Sequence, residues 1–281
     1  ANIGYDVDFI IYDSIFRNFK DFMRKAKLLK ADNSLLDVYR ILRTIYKFVH
    51  ALDDVEKRIE VLRAYEIDEG SCDKAWEEIK DLFDTVKTME DVENIKKKAY
   101  EMLDKIPVVF PEENERIRVG IVGEIYVVME SSVNMEVEKI LGKLGVETER
   151  SQYLSEWIGF NMFPKFLKKI LKKDKICKIE EKGEQFININ IGGHAKETVG
   201  FIKDFKDRGF DGVIHLMPFG CLPELVTQSI VPSMSKELNI PILTIPIDEQ
   251  TGRANNLTRI EAFVELIRNK KSNTINKQKL A

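Results

Sequence analysis

Nearly unbroken apolarity over residues 213–217, fenced by glycines and a proline, limits this chain's fold more than any other feature. Val213, Ile214, Leu216 and Met217 sit between Gly209 and Gly212 on one side and Pro218 on the other. A short strand over residues 211–216 is the expectation. A strand without polar alternation is covered on both faces, as in a parallel sheet. Beyond it, Gly220 can supply a positive φ, and Pro223 suits the first turn of a helix. Cys221 is thereby delivered to a helix N-terminus, where unpaired N–H groups and the helix dipole favour a thiolate. Such a thiolate is a metal or cluster ligand or a nucleophile; a free cysteine is otherwise a small buried hydrophobe. The position after a strand points to function, because ligands of open α/β sheets bind beyond the strands' carboxyl ends.

The sequence on either side repeats the alternation. Residues 117–123 (IRVGIVG) read as a first strand, followed by Glu124 in a loop and a helix over 134–144 that Gly145 ends. Residues 146–150 suit a second strand, with Ser155, Glu156 and Trp157 in the loop or helix start after it. Residues 163–173 form a basic amphipathic helix, Gly192 and Gly193 break the chain before His194, and 197–208 are helical. The helix after Cys221 bends or restarts at Pro232. Residues 241–247 are a further strand ending in Asp248 and Glu249, 257–267 the last helix, and 271–281 a polar, disordered tail. Alternating strands and helices imply a Rossmann-like parallel sheet over residues 108–270. Right-handed crossovers would gather Gly123–Glu124, Gly220–Cys221 and Asp248–Glu249 on one edge.

Residues 1–107 read instead as mostly helical, so the fold class is α/β with a helical N-terminal region. Residues 6–12 are a short strand or the lead into a first helix, whose apolar positions are Ile15, Phe19, Phe22, Ala26 and Leu29. Ser34 can cap a second helix with an apolar face of Leu35, Val38, Leu42, Ile45, Val49 and Leu52. Ser71 can cap a third, carrying Trp76, Ile79 and Phe83, after an acidic loop at 65–71 read as a solvated turn. Thr88 and Asp91 resemble a capping box ahead of Val92, Ile95, Ala99 and Leu103.

Composition narrows the function. A net charge of −3 leaves no electrostatic footprint for nucleic acid. No apolar run approaches the roughly 20 residues of a membrane helix. Three cysteines, widely spaced, make no disulfide framework and fit a reducing cytoplasm. Ala1 at the start, with no methionine and no lead-in element, suggests a processed chain or a piece of a longer protein.

Phosphate-gripping glycine motifs, a nucleophile elbow, a Cys-x-x-Cys pair and a His-Glu-x-x-His helix are all missing from the sequence. Single residues remain as candidates. Glu124 is a functional carboxylate or a charge at a helix N-terminus. His194 acts in acid–base or phosphate chemistry, or is a loop histidine at a helix start. Glu156 has the same two readings as Glu124. Asp248 and Glu249 orient a ligand or cap a turn. His215, inside the strand, is a satisfied core histidine. Cys72 and Cys177 are incidental.

Together the motifs resemble one family. GIVGEIY at 120–126, LSEW at 154–157, GGH at 192–194 with ETVG at 197–200, the 215–224 stretch, and DEQTG at 248–252 with TRIEAF at 258–263 follow the same order in it. The chain is similar to 2-hydroxyacyl-CoA dehydratase-like proteins, in particular the activase-related branch, across residues 116–267. The resemblance implies an iron–sulfur cluster held by cysteines, with Cys221 as a ligand. It also implies an acyl-CoA substrate, a dehydratase or low-potential reductase reaction, and electrons from a separate ATP-dependent activase. A cluster takes about three or four cysteines, and Cys221 alone lies in a family motif. The remaining ligands would come from a preceding segment or a partner chain; otherwise the chain binds no cluster. The alternatives are a non-catalytic scaffold subunit and an acyl-CoA-binding protein.

Overall fold

The computed structural model describes residues 34–162, 175–189, 191–250 and 252–279, together with 20, 24 and 25. The expectations for 6–12, for the Ile15 to Leu29 series and for the helix at 163–173 fall outside the described residues.

Helix α1 (Leu35–Leu62) starts where Ser34 accepts a bond from the Asp37 N–H while the Asp37 carboxylate accepts one from the Ser34 N–H. Helix α2 (Ser71–Phe83) starts one residue earlier than expected, with Gly70 as its cap in the left-handed region and Ser71 already helical. The acidic loop explains this. Glu66 folds over the helix end and accepts bonds from the N–H groups of Gly70 at 2.8 Å and Cys72 at 2.7 Å. It is a cap rather than a solvated turn, because first-turn N–H groups need acceptors. Helix α3 (Met89–Leu103) opens on the expected Thr88–Asp91 box. The three helices bury Val55, Ile59, Leu62, Cys72, Ile79, Phe83, Val92, Ala99 and Leu103 together. Burial along the expected face of α1 begins at Val49; Leu42 and Ile45 are exposed.

Four strands follow: β1 (Ile117–Gly123), β2 (Val146–Arg150), β3 (Gly212–Pro218) and β4 (Ile242–Ile247). They lie in the order β2-β1-β3-β4, every pairing parallel. Strand β3 is buried along nearly its whole length, as its unbroken apolarity requires. One face of the sheet packs Val119, Ile121, Ile214 and Leu216 against helices α4 (Ile125–Met129), α5 (Val137–Lys143) and, further along, α10 (Arg253–Lys279). The other packs Val122 and Val213 against α7 (Lys175–Glu184), α8 (Ala195–Asp207) and α9 (Leu222–Glu237). Helix α6 (Leu154–Met162) follows β2 and, with β2 and α5, receives α1 on the sheet's edge.

Three departures have physical causes. The helix expected from residue 134 starts at Val137, because Asn134 is spent on its approach. The Asn134 amide donates to the Val127 carbonyl and accepts from the Val137 N–H. Helix α9 does not restart at Pro232 but runs through it as one element, losing the bond that residue would have made to the Gln228 carbonyl. Helix α10 continues to Lys279 where a disordered tail is expected. Its polar residues are tied down: Lys271 pairs with Asp211 at 2.9 Å, and Lys270 donates to the Asn239 carbonyl at 2.7 Å.

Candidate functional site

The strand order creates the site's location. From β1 the chain moves outward to β2, then crosses back to β3 on the other side. The connections leave β1 and β3 in opposite directions, opening a crevice beyond their carboxyl ends. The backbone fastens this edge together. Glu124 N–H donates to the Leu216 carbonyl at 3.2 Å, and Phe219 N–H to the Ile247 carbonyl at 2.8 Å. Gly123 adopts φ 139, and a Cβ there would sit 1.8 Å from the Leu216 oxygen, so no side chain fits. The ends of β1, β3 and β4 therefore share one edge.

Cys221 is the N-cap of α9. Gly220 turns the chain at φ 82, Cys221 N–H donates to the Pro218 carbonyl at 3.1 Å, and Pro223 enters the first turn. Cys221 is half-buried. Its neighbours Phe219 and Leu222 are 75% and 74% exposed, giving the crevice an apolar lip.

His194 is the N-cap of α8. Gly192 and Gly193 turn into it with positive φ, and a Cβ on Gly193 would lie 2.6 Å from the Pro223 ring. The structure thus rests the His194 loop against the first turn that Cys221 caps. Glu124 is the N-cap of α4. Its Oε2 accepts from the N–H groups of Tyr126 at 3.0 Å and Val127 at 3.2 Å, the helix-end role of the two open readings. Asp248 accepts from Gln250 N–H at 2.9 Å, a turn cap. Glu156 lies in the first turn of α6, the helix-end reading, and also pairs with Lys57 on α1 at 3.3 Å.

Beneath the crevice lies a polar group that sequence reading half found. His215 is fully buried, as expected of a core histidine. Its Nε2 lies 2.9 Å from Glu224 Oε2 and its Nδ1 3.3 Å from Thr244 Oγ1. Glu224, also fully buried, accepts from the Thr198 hydroxyl at 3.1 Å on its other oxygen. Glu224 was missed. The available signal was a carboxylate three residues past the cap, on a helix that folds back over the strand bearing His215. Close by, burial raises the Glu197 carboxyl above its usual range.

The other thiols lie elsewhere. Cys72 is in the helical core, its thiol pushed up to about 12 by burial and the adjacent Glu66. Cys177 is on α7. Among the described residues no group of three or more His, Cys, Asp or Glu is placed to hold a metal ion. The crevice offers one thiol, not a ligand set. A cavity of about 740 Å³ is lined by helical-region residues such as Tyr39, Ile45, Phe48 and Met89 instead. No helix among the described residues is long and apolar enough to cross a membrane.

No curated protein matches the sequence. The sequence model of the family 2-hydroxyglutaryl-CoA dehydratase, D-component, does match, over residues 20–267. That span covers well over half of the chain, runs through every strand and includes the whole β1–β3 edge, and the chain belongs to this family.

Proposed function

We propose that the chain is a component of an iron–sulfur-linked 2-hydroxyacyl-CoA dehydratase or reductase system, working in the cytoplasm. The observation that carries this reading is the placement of Cys221 as a helix cap at the switch point, in a chain of this family. A half-exposed thiol among unpaired helix N–H groups suits soft metal chemistry. The rest of a cluster's ligand set does not fit this chain. Cys72 is sealed in the helical core, and among the described residues no group of three or more His, Cys, Asp or Glu is placed to hold a metal ion. Cys221 therefore offers one ligand at most, with the others supplied from outside these residues.

What the chain's own residues do follows from the geometry. The His215–Glu224 pair fixes the first turn of α9, so it sets where the Cys221 sulfur sits. Phe219 and Leu222, on either side of it in the chain, present an exposed apolar surface to an acyl group. His194 and Glu124, on the neighbouring loops, are the candidate proton-handling groups for an acyl-CoA. An ATP-dependent activase is the proposed electron donor.

Anaerobic reconstitution with iron and sulfide, each quantified, tests this reading on the wild type and on Cys221→Ala in the presence of candidate partner subunits. Cluster content lost in the variant supports it; a full cluster retained in Cys221→Ala removes the ligand assignment. The single thiol favours one other reading, a subunit that docks and positions a dehydratase partner without holding a cluster. Complex formation unaffected by Cys221→Ala, with no iron bound under any condition, would select it. Calorimetry with acyl-CoA esters separates both from a simple ligand-binding role.

A further inference from the structure

Where α1 meets the sheet, the seam is crowded with buried charge. Arg150, the last residue of β2, is buried and faces three carboxyl groups. Glu56 pairs with its Nη2, Glu138 Oε1 lies 3.1 Å from its Nε, and Glu60 Oε1 lies 3.5 Å from the same nitrogen. Tyr153 donates to the second oxygen of Glu60 at 2.9 Å. Around this centre, α1 adds Asp53, which accepts from Ser155 N–H at 2.8 Å, and Lys57, which lies 3.9 Å from the Tyr153 ring centroid and pairs with Glu156 of α6. Arg63, the C-cap of α1, is held by Asp73 at 3.0 Å, and Lys139 of α5 by Glu136 at 2.8 Å. No second cation is left for the three carboxyls around Arg150 among these groups.

The hydrogen bonding is also incomplete here. The buried side-chain atoms that make no hydrogen bond among the described residues are Glu60 Oε1, Glu138 Oε1, Thr148 Oγ1, Arg150 Nε, Ser151 Oγ and Gln152 Oε1. All belong to β2, to the two residues after it, or to the two glutamates that face Arg150. Two of the orphans are carboxyl oxygens beside one Nε. Two carboxylates at such a place cannot both stay ionised, and a carboxyl O–H between them gives one a donor and the other an acceptor. A metal ion is not the alternative, since no such group has ligating geometry.

We infer that Glu60 and Glu138 form a buried proton-binding site, one proton shared between two carboxyls before a single guanidinium, and that seating α1 on the sheet edge is linked to holding it. The direction of titration agrees with the geometry. Burial, then the neighbouring Glu138 carboxylate, raises Glu60 well above the ordinary range. Burial likewise raises Glu56, against the pull of Arg150. The folded seam therefore keeps a proton that the unfolded carboxyl releases near 4.5. Its stabilisation is complete in acid, below the unfolded value, and is lost as pH rises through the raised folded value.

The test uses the full chain and needs no activity. Urea unfolding between pH 5 and 8.5 is compared for the wild type, Glu60→Gln and Glu138→Gln, with amide exchange read at Ser155, whose N–H bridges the seam. In the wild type the unfolding constant should rise by up to about tenfold per pH unit for one proton. Either glutamine variant, a permanent mimic of the protonated carboxyl, should remove that slope and hold Ser155 protection constant with pH. A carboxylic-acid infrared band present in the wild type and lost in both variants would support the site. Unchanged slopes in both variants, or no such band at pH 7, would overturn it. Two independent variants keep the result readable if one folds poorly.

Discussion

Glu224 and Glu60 are both shut away from solvent, one beneath the switch-point crevice and one in the α1 seam, and their surroundings differ in kind. Glu224 has His215 on one oxygen and the Thr198 hydroxyl on the other. Glu60 has Tyr153 on one oxygen and no hydrogen bond on the other, which lies 3.5 Å from the single arginine, beside two more carboxyls. Burial costs a polar group about the same in either place, and only pairing offsets it. The crevice floor is a closed polar unit, so it fixes geometry: it pins the first turn of α9 and with it Cys221. The seam carries surplus charge, so it responds to solution conditions. Among the described residues the buried charges around Arg150 lie outside the crevice, and charge density alone would point away from Cys221.

The largest effect should come from removing the seam's cation. Arg150→Ala leaves Glu56, Glu60 and Glu138 facing one another, and should cost about 5 kcal/mol at pH 7, the upper end for a broken buried pair. The loss should shrink in acid, where protons replace the guanidinium. Urea unfolding at pH 5 and pH 7 measures both. A cost below about 1 kcal/mol at pH 7 would mean that the carboxyls are already neutral and the contrast with Glu224 is false.

Next in size is His215→Ala, which strands Glu224 under the crevice. It should cost about 3 kcal/mol, because one buried carboxylate loses one partner while keeping Thr198. The same variant should change the rate at which iodoacetamide labels Cys221, while Cys72 stays unlabelled. Burial and a thiol near 12 leave Cys72 with a thiolate fraction of about 10⁻⁴ at pH 8. An unaltered Cys221 rate would detach the buried pair from the thiol and leave it a purely structural feature.

What the sequence disclosed follows the range of each interaction. The unbroken run at Val213 to Met217 announced a doubly covered strand, and Thr88 with Asp91 announced a helix start, because both signals lie within a few residues. The Gly192–Gly193 break before His194 was equally local. The Glu66 cap was not legible, since an acidic loop looks alike whether its carboxylate faces water or bends back onto Gly70 and Cys72. Helix α10 outran its apolar pattern because distant Asp211 and Asn239 hold its lysines. The seam was invisible for the same reason: Glu60, Glu138 and Arg150 have no pattern until α1 is laid along β2. Of the crevice, the position of Cys221 was legible and its floor was only half so. A histidine in a strand suggests a partner but does not name Glu224.

Two threonines give the finest test of the contrast. Thr198 Oγ1 donates to Glu224, whereas Thr148 Oγ1, buried in β2 near Arg150, has no partner. Valine matches threonine in shape, so each substitution exchanges a hydroxyl for a methyl with little repacking. Thr198→Val should cost about 1–3 kcal/mol, because it leaves a buried carboxylate oxygen without its donor. Thr148→Val removes a hydroxyl that already lacks a bond and adds buried apolar surface. Its effect should lie between nothing and about 1 kcal/mol of stabilisation. Thermal unfolding of the two variants side by side reads the difference directly. If Thr148→Val instead destabilises by as much as Thr198→Val, an ordered water satisfies that hydroxyl, and the seam is as closed a polar unit as the crevice floor.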